Sequence, residues 1–163
     1  IRELRNHGQT VKFKMNRVGW NARMDSLQAE ILLNKLPLLD KHNKRRREIA
    51  FMYNEALDGL VNLPTQSKNS LHVYHQYVVQ LDFRDELKSY LEKNKIFAGI
   101  HYKTPTHQMK AYKKFYKKEL PVTNSMKNRI LSLPIHSGLK VKDAKIVVKY
   151  VKKFFEEKNE KAI

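Results

Sequence analysis

A chain of 163 residues, 41% apolar and 10% aromatic, has enough core-forming residues for one domain, or for a small domain and a piece of another, which excludes global disorder. It has no cysteine, which excludes a disulfide scaffold and any thiolate site and fits a reducing, cytoplasmic setting. The 33 Lys and Arg against 16 Asp and Glu give a formal charge of +17, an attractive field for polyanions that says nothing about fold.

In chain order, "IRELRNHG" reads as the end of a helix stopped by Gly8. Because the chain opens on Ile1 rather than methionine, that helix's beginning is expected to lie upstream. Residues 9–25 carry scattered apolar positions without period and predict a loop packed on something. Helical spacing follows at Leu27, Ile31, Leu32, Leu36 and Leu39. Asp25 or Ser26 can cap it, which leaves Asn21 and Arg23 with no local task. Pro37 should bend or break this helix. The pattern resumes after Asn43, with Ile49, Met52, Tyr53 and Leu57 on one side and a basic face opposite. The polar stretch 62–71 is the best domain boundary, so residues 1–60 form one region and residues 61–163 another.

In the region after this boundary, "HVYHQYVVQL" (72–81) reads as a strand and "RDELKSYLEKN" as a short helix with Leu87, Tyr90 and Leu91 inward. "IFAGIHY" (96–102) reads as a second strand and "HQMKAYKKFY" as helical. "TNSMKNR" reads as a short helix leading into the brief strand "ILSLPI". The last helix presents Ala144, Val147, Val148, Val151, Phe154 and Phe155 on one stripe. Helices alternating with short strands predict an α/β or α+β layer structure, with a sheet from 72–81, 96–102 and 130–134 covered by helices 84–94 and 143–158. No apolar run approaches the roughly 20 residues that span a bilayer.

Seven histidines raise the question of a metal. His72 and His75, three apart in a regular strand, point to opposite faces, and no Cys or HExxH partner accompanies them, so a metal site is not expected. "KAYKKFYKKE" interleaves Tyr112, Phe115 and Tyr116 with five lysines, a pattern that can stack bases and neutralise phosphates. At helical spacing the same three aromatics share a face that would ordinarily be core. A basic, non-catalytic nucleic-acid-binding module therefore stands as the alternative reading. No Ser-His-Asp order, glycine-rich phosphate loop or close carboxylate pair is present.

Taken in order, "LRNHGQ", "GWNARMDSLQAEIL", "KLPLLDKHNKRRREIA", "HVYHQYVV", "RDELKSYL", "IHYKTPTHQ" and "ILSLPIH" carry the argument further. Together, and over essentially the whole chain, they resemble the sugar aminotransferases of the DegT/DnrJ/StrS type, closest to those making 3-amino or 4-amino deoxysugars for surface polysaccharides. The resemblance implies the C-terminal portion of an α/β fold-type I transferase that uses pyridoxal 5'-phosphate. Such an enzyme moves an amino group from an amino acid, glutamate in most of the family, to a keto sugar on a nucleoside diphosphate.

By position, the resemblance makes Asn21 a cofactor-phosphate ligand reaching across a homodimer. Arg23 would be its charged companion, or the loop's own salt bridge. His101 and Tyr102 would line the sugar side of the pocket. His107 would do so too, or else serve a helix N-terminus. His75 and Tyr77 would pack in the small domain, and Lys103 replaces an expected proline. The family's Schiff-base lysine, the acidic partner of the cofactor ring and its stacking aromatic belong to segments upstream of "LRNHG". The chain by itself is therefore expected to be catalytically inactive and to contain no catalytic residue.

Overall fold

The computed structural model describes residues 1–116 and 118–160. The chain forms two compact units, Ile1–Asp40 and Lys41–Ile163. By contacts within this chain the division therefore falls ahead of the 60/61 boundary drawn from the sequence. Residues 41–57 belong to the second unit because Ile49, Ala50, Tyr53 and Leu57 are buried in its core.

The first unit opens with turns where a helix end was expected. The backbone of residues 4–7 is spent on residues 20–22 instead: His7 N donates to Trp20 O (2.9 Å), Trp20 N to Leu4 O (2.8 Å) and Ala22 N to Arg5 O (2.9 Å). This close approach needs two glycines. Gly8 has a φ of +72°, and a Cβ there would lie 1.8 Å from Arg17 O; a Cβ on Gly19 would lie 2.1 Å from Gly8 N. Residues 9–15 fold as a small hairpin, β1 (Gln9–Val11) with β2 (Lys14–Met15), and not as a packed loop; Val11, Phe13 and Met15 are exposed.

Helix α1 (Ser26–Lys35) starts at Asp25. The Asp25 carboxylate accepts from Leu27 N at 2.8 Å, and Gln28 Oε1 accepts in return from Asp25 N at 3.3 Å. This reciprocal cap satisfies two otherwise orphaned donors. Pro37 tightens residues Leu36–Leu38 into a 3₁₀ turn. Helix α2 (Leu39–Leu57) begins directly after it, earlier than the resumption expected after Asn43.

In the second unit, β3 (Tyr77–Gln80) pairs antiparallel with β4 (Ile130–Leu133) in the register Tyr77↔Leu133 to Gln80↔Ile130. Single bridges, Asn62↔Gln80 and Gly99↔Ser132, flank the pair. The sheet is therefore narrower than the three strands predicted. Residues 72–76 are irregular because Tyr74 adopts a left-handed φ of 46°, and His72 Nδ1 accepts from Tyr74 N at 2.9 Å. Of 96–102 only Gly99 pairs, since the chain turns away at His101.

Strand alternation divides the sheet into two faces. Tyr77, Val79, Leu131 and Leu133 point into a core shared with α2, α3 (Arg84–Lys93) and α5 (Val141–Glu160). Val78, Gln80, Ile130 and Ser132 point the other way. The stripe of α5 is buried as its spacing predicts, through Ala144, Val147, Val151 and Phe154.

Three polar groups are built into this core. Tyr53 O–H donates to Pro134 O (2.8 Å) and Tyr77 O–H to Asn54 Oδ1 (2.6 Å), with the two rings edge-to-face at 5.0 Å. Burial, then each phenol's neighbouring tyrosine, raises both hydroxyls well above their ordinary pKa. Arg84, 1% exposed, donates to the carbonyls of Lys127 (3.2 Å) and Ile130 (3.1 Å); its Nε lies 2.8 Å from Asp85 Oδ1 but is poorly aligned with it. Among the described residues no helix is long and apolar enough to cross a membrane.

Candidate functional site

The segment after Gly99 builds a cleft on the sheet face opposite the core. Val78 and Ile130 line it from the strands, followed by His101, Tyr102, Thr104–His107 and Met109, with Tyr116 and the helix α4 (Pro121–Met126) completing a space of about 480 Å³. That is a normal size for a small-molecule site. His101, Tyr102 and His107 are thus brought to one cleft. His101 Nδ1 lies 2.9 Å from Ser132 Oγ, and the absence of a side chain on Gly99 leaves room for its ring, which a Cβ there would approach to 2.6 Å. Tyr102 is 71% exposed, its ring edge-on to His101.

His107 is held by a polar chain that the sequence did not reveal. Its Nε2–H donates to Asn124 Oδ1 (3.2 Å), which also accepts from Gln108 Nε2 (2.7 Å), and Lys127 Nζ donates to Gln108 Oε1 (3.0 Å). Because an amide oxygen only accepts, Nε2 carries a proton, and Nδ1 makes no hydrogen bond among the described residues. The segment around it is not the helix predicted. It makes two 3₁₀ turns, Thr106–Gln108 and Lys113–Phe115, and Tyr112, Phe115 and Tyr116 are exposed where a helical face would have buried them. Lys117 lies outside the described residues.

A second space of about 550 Å³ is lined by Asp58, Gly59, Asn62, Gln80, Asp82, Phe83, Arg129 and neighbours. Its one arginine is 2.8 Å from Asp82 Oδ1, and Asp58 remains. Its electrostatics therefore disfavour a phosphorylated ligand, and the smaller cleft is the better candidate despite its size. His75 is exposed, against the expectation that it packs in the small domain, while Tyr77 is fully buried.

In the first unit, the Gly8–Gly19 approach lays Asn21 beside Asn6 as an antiparallel bridge. Both Asn21 and Arg23 are exposed, and Arg23 Nε donates to Asn21 Oδ1 at 3.1 Å. With its oxygen occupied, Asn21 has its amide N–H₂ left to donate, and Arg23 retains its terminal N–H groups. Among the described residues Arg23 has no carboxylate partner. A pair that offers donors only, with one positive charge, fits the phosphate of pyridoxal 5'-phosphate.

The sequence profile of the DegT/DnrJ/EryC1/StrS aminotransferase family matches residues 1–152. The chain belongs to this family. It is 36% identical to a dTDP-3-amino-3,6-dideoxy-alpha-D-galactopyranose transaminase of Aneurinibacillus thermoaerophilus, over 93% of this chain and 42% of the relative. It is 37% identical to a UDP-N-acetyl-3-dehydro-alpha-D-glucosamine 3-aminotransferase of Acidithiobacillus ferrooxidans, over 86% and 38%. Among solved structures, DesV of S. venezuelae superposes with a TM-score of 0.86 at 34% identity, over 94% of this chain and 42% of that one. An aminotransferase of the same family from Brucella abortus superposes with a TM-score of 0.84, also at 34% identity and with the same coverage. The α/β architecture is thus that of the C-terminal portion of a fold-type I transferase, and the chain spans less than half the length of these relatives.

Proposed function

We propose that the protein to which this chain belongs is a pyridoxal-phosphate-dependent aminotransferase acting on a keto sugar carried by a nucleoside diphosphate, with an amino acid, glutamate, as donor. The observation that carries this reading is the single cleft that gathers His101, Tyr102 and His107. Both relatives described above are named for amination at position 3, so a 3-keto sugar is the favoured acceptor.

When bound, the cofactor supplies the electron sink that makes the donor's α-proton acidic. The residues of this chain bind and orient. The Asn21 amide and the Arg23 guanidinium hold the cofactor phosphate, across a homodimer as the resemblance implies. Tyr102 covers one side of the sugar and keeps water from it. His101, steadied by Ser132 Oγ, and His107, steadied by Asn124, each present a ring nitrogen to sugar hydroxyls. No lysine of this chain is assigned to bonding the cofactor.

The test is amino transfer by the complete protein, given pyridoxal phosphate, glutamate and a UDP- or dTDP-linked 3-keto sugar, read by mass spectrometry. An amino sugar formed together with 2-oxoglutarate is expected, and Tyr102→Ala should raise KM for the sugar nucleotide. A complete protein that loads cofactor and turns over neither partner would overturn the proposal.

A further inference from the structure

Lys127 is half-buried at the end of α4 and lines the cleft, yet among the described residues its only side-chain partner is the neutral Gln108 Oε1. An ammonium carries three donors, and one is used. No carboxylate of the described residues lies within ion-pair distance of it; the nearby Glu119 accepts from Asn124 Nδ2 (2.9 Å). The base of this side chain is fixed from below, because buried Arg84 grips the Lys127 carbonyl together with that of Ile130. Segment 101–130 carries seven lysines and one arginine against a single acid, Glu119, and the arginine, Arg129, is turned to Asp82 at the other space. A partly desolvated cation without a counter-ion, in a basic surround, calls for an anion to complete it.

At the lip, Tyr116 lies 6.3 Å from the His107 ring, and Tyr112 and Phe115 stand exposed beside it. Aromatic faces without a core role, next to lysines, suit the π-face of a base. An extended nucleic acid would need an open groove, whereas Lys127 sits inside a cleft of about 480 Å³, the scale of a small ligand.

We infer that Lys127 is the seat of the diphosphate of the sugar-nucleotide substrate, with Tyr116 the stacking surface for its base; the inference rests on the proposed function above and adds a residue to it. Gln108 holds the ammonium in place until the diphosphate arrives, and the two remaining N–H groups donate to its oxygens.

The test is calorimetric titration of the purified chain with UDP and, separately, with uridine. UDP should bind at least tenfold more tightly than uridine. Lys127→Met should lose about tenfold or more of the UDP affinity and leave uridine unchanged, while Lys127→Arg should keep most of the UDP affinity. Tyr116→Ala should weaken both ligands alike. Unchanged urea midpoints for the variants show that none of these effects is unfolding. Lys127→Met that binds UDP as well as the parent chain overturns the inference and leaves the aminotransferase reading standing. A parent chain that binds oligothymidylate tightly and does not prefer UDP to uridine overturns both, in favour of nucleic acid.

Discussion

The two units differ in what their apolar residues do. Every hydrophobic residue of the buried core lies in Lys41–Ile163, from Ile49 to Phe154; in Ile1–Asp40 the only buried residue is Gly8. Helix α1 and the turn after it expose Leu27, Ile31, Leu32, Leu33 and Leu36, each by about half or more, whereas the stripe of α5 is buried through Ala144, Val147, Val151 and Phe154. Periodicity reports which side of a helix is apolar; whether that side is covered depends on what packs against it. The first unit is held by main-chain hydrogen bonds and two glycines, the second by packing.

The largest effect that separates the two is a cavity. Leu91→Ala, in a fully buried position of α3, should cost about 3 kcal/mol, whereas Leu32→Ala, half-exposed on α1, should change stability by less than about 0.5 kcal/mol. Urea unfolding of the two variants measures both; equal losses would erase the distinction. Next in size is the donor pair of the first unit. In the complete enzyme, Asn21→Ala should weaken cofactor retention by about 1.5–3 kcal/mol without altering the unfolding midpoint of the apoprotein. Unchanged cofactor affinity in a folded dimer would remove Asn21 from the phosphate site.

A smaller effect follows from the second unit's buried phenols. Both hydroxyls are raised above the ordinary value of 10.0, so the folded chain keeps protons that the unfolded chain releases above about pH 10. Stability should therefore be flat with respect to these groups below that pH and fall as pH rises through it. Thermal melts from pH 8 to 11 should show a shallower decline for Tyr53→Phe/Tyr77→Phe. The smallest change in stability, and a visible change in association, is expected for Leu32→Lys/Leu36→Lys. Exposed apolar surface favours self-association of the chain, and sedimentation should show the charged variant less associated with its melting curve preserved.

What the sequence disclosed follows the same division. Helix α5, α3 and the β4 strand were legible because their periods coincide with burial. The hairpin 9–15 was hidden by the backbone approach of Gly8 and Gly19, which no periodic pattern encodes. Residues 107–116 suggested a helix, but Lys110, Lys113 and Lys114 would have sat three and four apart as like charges, and the chain turns in short 3₁₀ pieces instead. In the site, Asn21 and Arg23 stood out because Asp25 already caps α1, and the motif around His101 carried the family resemblance. Lys127, Gln108 and Asn124 could not be singled out, since one lysine among many acquires meaning only when its neighbours lack a carboxylate.

The central claim is that the cleft of the second unit, and no other surface of this chain, receives the sugar nucleotide. Amide chemical-shift mapping of the chain during titration with UDP-N-acetylglucosamine tests it directly. Saturable shifts should gather at 101–109, 116 and 120–130, with 58–65, 80–82 and the first unit unmoved. Shifts centred on Asp58–Thr65 and Leu81–Phe83, or spread evenly over the lysines of the whole surface, would contradict the account.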